Sequence, residues 1–205
     1  PTLALDSVIN NWGVPKLIED GQWDTTLPFV VLAPHLGAVP SAGFQERLDA
    51  FVEYAKITYD IDPARIYMVG WSQGGFMSYD YAIEHPEKIA AVVPISSGLT
   101  YDLDELPDNF CNIEQVPFWG YHATGDEEIQ FGNSISGFNA IIDNCQPTVL
   151  PKLSILIGGE HAIHHAFFDL SILIGGSANP VYDSRYDPYD ESIYEWLLSH
   201  SLLDR

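Results

Sequence analysis

A chain of 205 residues, 46% hydrophobic and 18% charged, is long enough to bury one core and too apolar to be intrinsically disordered. Its 29 acidic against 8 basic residues leave a net charge of −21, a field that repels phosphate backbones and argues against nucleic-acid binding. No apolar run approaches the length that spans a bilayer, so no membrane span is expected.

Leu3, Leu5, Val8, Ile9 and Trp12 have helical spacing, with Gly13 and Pro15 as stops. Pro28-Phe29-Val30-Val31-Leu32-Ala33 reads as a buried strand closed by Pro34. From Phe44 to Tyr59, Phe44, Leu48, Phe51, Val52 and Ala55 mark one face of an amphipathic helix. Asp62-Pro63 turns the chain into a short apolar strand that ends in Gly70-Trp71-Ser72-Gln73-Gly74, and a helix from Phe76 to Glu84 follows. His85-Pro86 ends that helix. Ala90–Ile95 is the next strand, and residues 101–116 are acidic and irregular, a surface excursion. Val116–Tyr121 is a third strand in this region. A helix over 134–142 leads to the strand Leu153–Ile157, and Ile193, Trp196 and Leu197 mark a closing helix. Strands alternating with helices predict a parallel sheet covered on both faces, in a single domain over residues 1–205. The run L-S-I-L-I-G-G occurs at Leu153–Gly159 and again at Leu170–Gly176, a local duplication whose second copy is an extra strand or an inserted loop. Cys111 and Cys145 are two buried thiols in a reducing compartment or a pair in an oxidising one.

Gly70-Trp71-Ser72-Gln73-Gly74 is a G-x-S-x-G turn between a strand and a helix, the setting that presents a serine oxygen as a nucleophile. Gly70 and Gly74 are expected to leave no side chain where strand and helix crowd. A serine needs a base, an orienting carboxylate and oxyanion donors. With this elbow the chain order is serine, acid, histidine. Asp126, just past a strand end, is the expected acid, with Glu127 and Glu128 as neighbouring alternatives. His161, first after Gly158-Gly159, is the expected base, with His164 and His165 as competitors. His35, His85, His122 and His200 read as structural or surface residues. The spacing H-x-x-H-H lacks the H-E-x-x-H pattern of zinc proteases, so no metal is expected, and acyl transfer through a serine needs no organic cofactor.

The segment R-I-Y-M-V-G-W-S-Q-G-G with H-P-E-K-I-A-A-V-V-P-I-S-S-G resembles the nucleophile region of secreted α/β-hydrolase esterases of the polyhydroxybutyrate-depolymerase and feruloyl-esterase type. It is similar also to predicted peptidases of the prolyl-oligopeptidase kind. P-F-W-G-Y-H-A-T-G-D resembles the acid loop, G-G-E-H the histidine loop and I-Y-E-W-L-L-S-H the closing helix. The resemblance implies an α/β-hydrolase fold, a serine carboxylic-ester hydrolase and a secreted or periplasmic location. Its substrate would be a small or polymer-linked ester. A peptidase of the same fold and a catalytically silent binding protein are the rivals. One oxyanion donor should be the backbone N–H of Gln73. The second is expected from an H-G loop on an earlier strand. With 28–33 placed immediately before the elbow strand, His35-Leu36-Gly37 fits that part poorly. The expectation is therefore a chain that begins after the H-G loop and lacks N-terminal strands.

Overall fold

The computed structural model describes residues 13–34, 43–99, 106–163, 168 and 181–205. These fall into two compact units, 1–63 and 64–205. The 3–12 helix, His35-Leu36-Gly37 and the second L-S-I-L-I-G-G copy lie outside the described residues.

In the first unit, helix α1 runs Gly13–Glu19. Gly13 and Pro15, read as stops, instead belong to its first turn, where proline's missing N–H has no intrahelical partner to lose. Helix α2 runs Phe44–Thr58 and buries Phe44, Leu48, Val52 and Ala55. This is the face expected from the spacing, with Phe51 only half-buried. The segment 28–33 forms no strand, and Val30 is 49% exposed. An apolar run becomes a strand only when a neighbouring edge takes its backbone groups. Here the Phe29 N–H turns back to the Leu27 carbonyl at 2.9 Å. The strand order that placed 28–33 before the elbow strand falls with it.

The second unit is built on four parallel strands in the order β1-β2-β3-β4: Tyr67–Trp71, Ala91–Ile95, Trp119–Ala123 and Lys152–Leu156. Every residue of β2 and β3 is buried, as strands covered on both faces must be. β1 pairs with β2 over five residues, Tyr67 opposite Ala91 through Trp71 opposite Ile95. The β2–β3 ladder is thinner. The N–H groups of Val92 and Ser96 donate to the carbonyls of Pro117 and Tyr121, whereas Pro94, midway between them, has no N–H to give.

Helix α3, Gln73–Glu84, joins β1 to β2 and starts three residues earlier than its pattern suggested. Helix α4, Gly132–Asn144, joins β3 to β4. Strand β3 starts three residues and ends two residues later than expected, so His122 lies within it and not beyond its end. Its alternation sorts the side chains. Trp119 and Tyr121 point to the face covered by helix α5, Ile193–Leu198, where Trp119 meets Trp196 edge-on at 5.5 Å. His122 points to the opposite face, toward Ser134 of α4.

The acidic excursion is not wholly surface. Its residues Phe110–Gln115 form a 3₁₀ helix that buries Ile113, and Cys111 is bonded to Cys145 at the end of α4. The bridge closes a separation of 34 residues. Replacing Cys111 and Cys145 by serine should lower unfolding stability by about 2–4 kcal/mol, measured by urea denaturation against the oxidised parent.

Candidate functional site

Ser72 follows β1 directly and caps α3, and its backbone is left-handed at φ 54°. Few non-glycine residues adopt this conformation, which costs about 1–3 kcal/mol. Neighbouring bonds hold it there. The Ser72 N–H donates to the Ile95 carbonyl at 2.8 Å, and the Ser72 carbonyl accepts from the N–H groups of Gly75 and Phe76. A Cβ on Gly70 would overlap the Gly74 carbonyl, and one on Gly75 would overlap the Ser97 side chain. Around Gly74 there is open space, so the second crowded position is Gly75 and not, as expected, Gly74.

Asp126 lies three residues beyond β3. Its Oδ1 accepts from the backbone N–H groups of Glu128 at 3.0 Å and Ile129 at 2.8 Å. Glu127 and Glu128 are exposed and stay in the loop. Beyond β4 the chain reverses through Gly158 and Gly159, both left-handed at φ 76° and 74°. The Gly158 N–H donates to Thr124 Oγ1 at 2.9 Å, and Gly125 makes room for the Gly159 carbonyl. The two loops therefore pack against each other, and His161 is carried back to Asp126.

The three side chains meet. His161 Nδ1 lies 2.7 Å from Asp126 Oδ2, and His161 Nε2 lies 2.7 Å from Ser72 Oγ. An ionised carboxylate can only accept, so the proton sits on Nδ1 and Nε2 accepts from the serine hydroxyl. Asp126 and His161 are 6% and 7% exposed. The carboxylate of Glu128, itself an exposed side chain, is 4.0 Å from Nε2. The backbone of His161 is fixed as well: its carbonyl accepts from Trp71 Nε1 at 2.9 Å and from Ser96 Oγ at 3.0 Å. Ser96, just past β2, is the second left-handed serine, at φ 50°. Gln73 opens α3, so its N–H is among the helix-end donors that have no intrahelical acceptor.

His122, expected to be a structural or surface residue, is fully buried beside Asp126. Its Nε2 is 3.0 Å from Asp126 Oδ2 and 2.9 Å from the Ile129 carbonyl. Its position four residues before Asp126 was the available signal, hidden by the misplaced strand end. His85 packs at a tilt against the Tyr81 ring, and His200 meets the Trp196 ring edge-on. His164 and His165 lie outside the described residues. Among the described residues no group of three or more His, Cys, Asp or Glu side chains is arranged so that it could hold a metal ion.

Burial alone would raise the Asp126 carboxyl. The hydrogen bonds from His161 and Ile129, with the two imidazoles beside it, outweigh burial and hold it below its ordinary value of 3.8. For His122 burial dominates and keeps the ring below its ordinary 6.5, against the pull of Ile129 and Asp126.

The family described as phospholipase/carboxylesterase matches residues 41–169, more than half of the chain. Feruloyl esterase C of Emericella nidulans is 27% identical over 115 residues, covering 55% of this chain and 40% of that protein. The bifunctional acetylxylan esterase/xylanase XynS20E of Neocallimastix patriciarum is 25% identical over 125 residues, covering 57% of this chain and 18% of that protein. The chain thus spans less than half the length of these relatives. The crystal structure of a thermostable esterase superimposes with a TM-score of 0.54 at 19% identity, over 76% of this chain and 36% of that one, a likeness of fold.

Two stability measurements check this geometry. Gly75→Ala should cost about 1–3 kcal/mol through overlap with Ser97, while Gly74→Ala stays within about 0.5 kcal/mol of the parent, by urea unfolding. Both titrating groups are depressed in the folded state, so the unfolded chain binds more protons as pH falls. Stability should decline first below the ordinary histidine value of 6.5 and again through the carboxylate range near 3.8. His200 adds to the upper step and Asp24 and Asp183 to the lower, so in urea unfolding midpoints against pH, His122→Gln should shrink the upper step and Asp126→Asn the lower without abolishing either.

Proposed function

The chain belongs to the phospholipase/carboxylesterase family, and from that premise we propose that it is a serine carboxylic-ester hydrolase working through an acyl-enzyme on Ser72. The observation that carries this reading is the 2.7 Å contact of Ser72 Oγ with His161 Nε2, on a ring whose other nitrogen is paired with Asp126. Ser72 attacks the ester carbonyl while His161 takes its proton. Asp126 keeps the imidazole in the tautomer with Nδ1 protonated and stabilises the cation that forms. The Gln73 N–H stabilises the oxyanion, a donor of a kind worth ~10²–10³ in rate. His161 returns the proton to the leaving alcohol. It then activates the water that releases the acid and restores the Ser72 hydroxyl.

The names of the two curated relatives favour feruloyl or acetyl esters on plant polysaccharide as substrates. The Cys111–Cys145 bond and the strongly acidic composition favour a secreted or periplasmic location.

With p-nitrophenyl acetate as substrate, Ser72→Ala and His161→Ala should each lower turnover by about 10⁴-fold or more, and Asp126→Asn by a similar factor. Feruloyl, acetyl and peptide substrates run side by side separate the esterase from a peptidase. No turnover of any short ester by the parent protein would sink the reading in favour of a silent binding protein.

A further inference from the structure

Oδ2 of Asp126 receives two imidazoles, His161 from the loop after β4 and His122 from β3. The His122 ring has little freedom. Its Nε2 faces two groups that can only accept, the Asp126 carboxylate and the Ile129 carbonyl, so Nε2 carries a proton. Its Nδ1 lies 2.6 Å from Ser134 Oγ, and the Ser134 hydroxyl in turn rests against the Ser97 carbonyl. His122, Ser134 and Ser97 are all buried. Burial obliges both ring nitrogens to find polar partners, and the partners taken here link Ser97 to Asp126 through the ring.

We propose that His122 is a positioning residue for the acid of this site: its Nε2–H pins Asp126 Oδ2 so that the carboxylate keeps its aim at His161 Nδ1 through the catalytic cycle. The inference rests on the esterase reading for its consequence in rate, and on geometry alone for the contact. Two backbone N–H groups hold Oδ1 and two imidazoles hold Oδ2, so all four acceptor directions of the carboxylate are filled. Without His122, Oδ2 loses the one side-chain donor that does not take part in proton transfer. Oδ2 then depends on His161 alone, and the carboxylate can swing about its Oδ1 contacts as His161 gains and loses charge. The shared donation also spreads the negative charge on Oδ2 and moderates its pull on the Nδ1 proton of His161. The chain of contacts runs from the Ser97 carbonyl through Ser134, His122, Asp126 and His161 to Ser72, so α4 and the ends of β2 and β3 all bear on the serine.

The test compares His122→Phe, which keeps the ring and loses the N–H, with His122→Gln, which places an N–H near the position of Nε2. In His122→Phe, kcat with p-nitrophenyl acetate should fall about tenfold or more while KM stays within about twofold. His122→Gln should recover most of the loss. The second readout needs no turnover: the low-field proton resonance of His161 Nδ1 should move in folded His122→Phe and return toward its parent position in His122→Gln. An unmoved resonance in folded His122→Phe overturns the proposal. If His122→Phe does not fold, Ser134→Ala, which removes the hydroxyl aligning the ring, decides by the same criterion. A parent protein that hydrolyses no ester would defeat the esterase reading and still leave the resonance to decide on His122.

Discussion

A buried carboxylate is the constraint on which the second unit depends. Removing a charge from water costs several kcal/mol unless hydrogen bonds replace its hydration. Asp126 meets that demand with donors from three places: its own loop at Glu128 and Ile129, strand β3 at His122, and the loop after β4 at His161. None of these donors can withdraw without leaving the carboxylate unsatisfied. Segments that meet only through the fold are therefore tied at one point, and the residue that orients the candidate base also holds the ends of β3 and β4 together.

The elbow is a second constraint, of backbone and not of charge. β1 and β2 are in register at Trp71 and Ile95, and the next residue of each, Ser72 and Ser96, turns into the left-handed region. The two chains thus leave the sheet at the same height, side by side. Ser72 carries the hydroxyl that faces His161, whereas Ser96 uses its hydroxyl to hold the His161 carbonyl. Strain at both serines is offset by bonds to the neighbouring strands: Ser72 N–H to Ile95 and Ser96 N–H to Tyr121. Pro94 interrupts the same β2–β3 ladder two residues earlier.

Packing on the two faces of β3 explains why the site stays in place. On one face Trp119 stacks with Tyr121 at 5.0 Å, meets Trp196 of α5 and lies under the Lys152 ammonium at 3.7 Å. On the other face Phe118 meets Tyr79 of α3 and Phe138 of α4. The alternation that gives one face to aromatic burial gives the other to His122. The side chain beneath the acid is thereby seated against α4, whose far end is anchored by the Cys111–Cys145 bond.

What the sequence determined by itself was local. The G-W-S-Q-G turn between strand and helix, the buried runs at β2 and β4, and the apolar face of α2 are written in residues a few positions apart, where periodicity and turn chemistry operate. Local cues also singled out Ser72, Asp126 and His161 one at a time. They misjudged the run 28–33, because a strand needs an edge that the run itself does not encode, and they set the end of β3 two residues early, which hid His122. They named Gly74 as a crowded position where Gly75 is the one against Ser97. Only the tertiary structure decided that His161 meets Asp126 across 35 positions and Ser72 across 89, that Cys111 pairs with Cys145, and that two imidazoles share one carboxylate oxygen. Those contacts depend on how separate segments turn at Gly158-Gly159 and past β3, and spacing along a chain carries no record of distance through a fold.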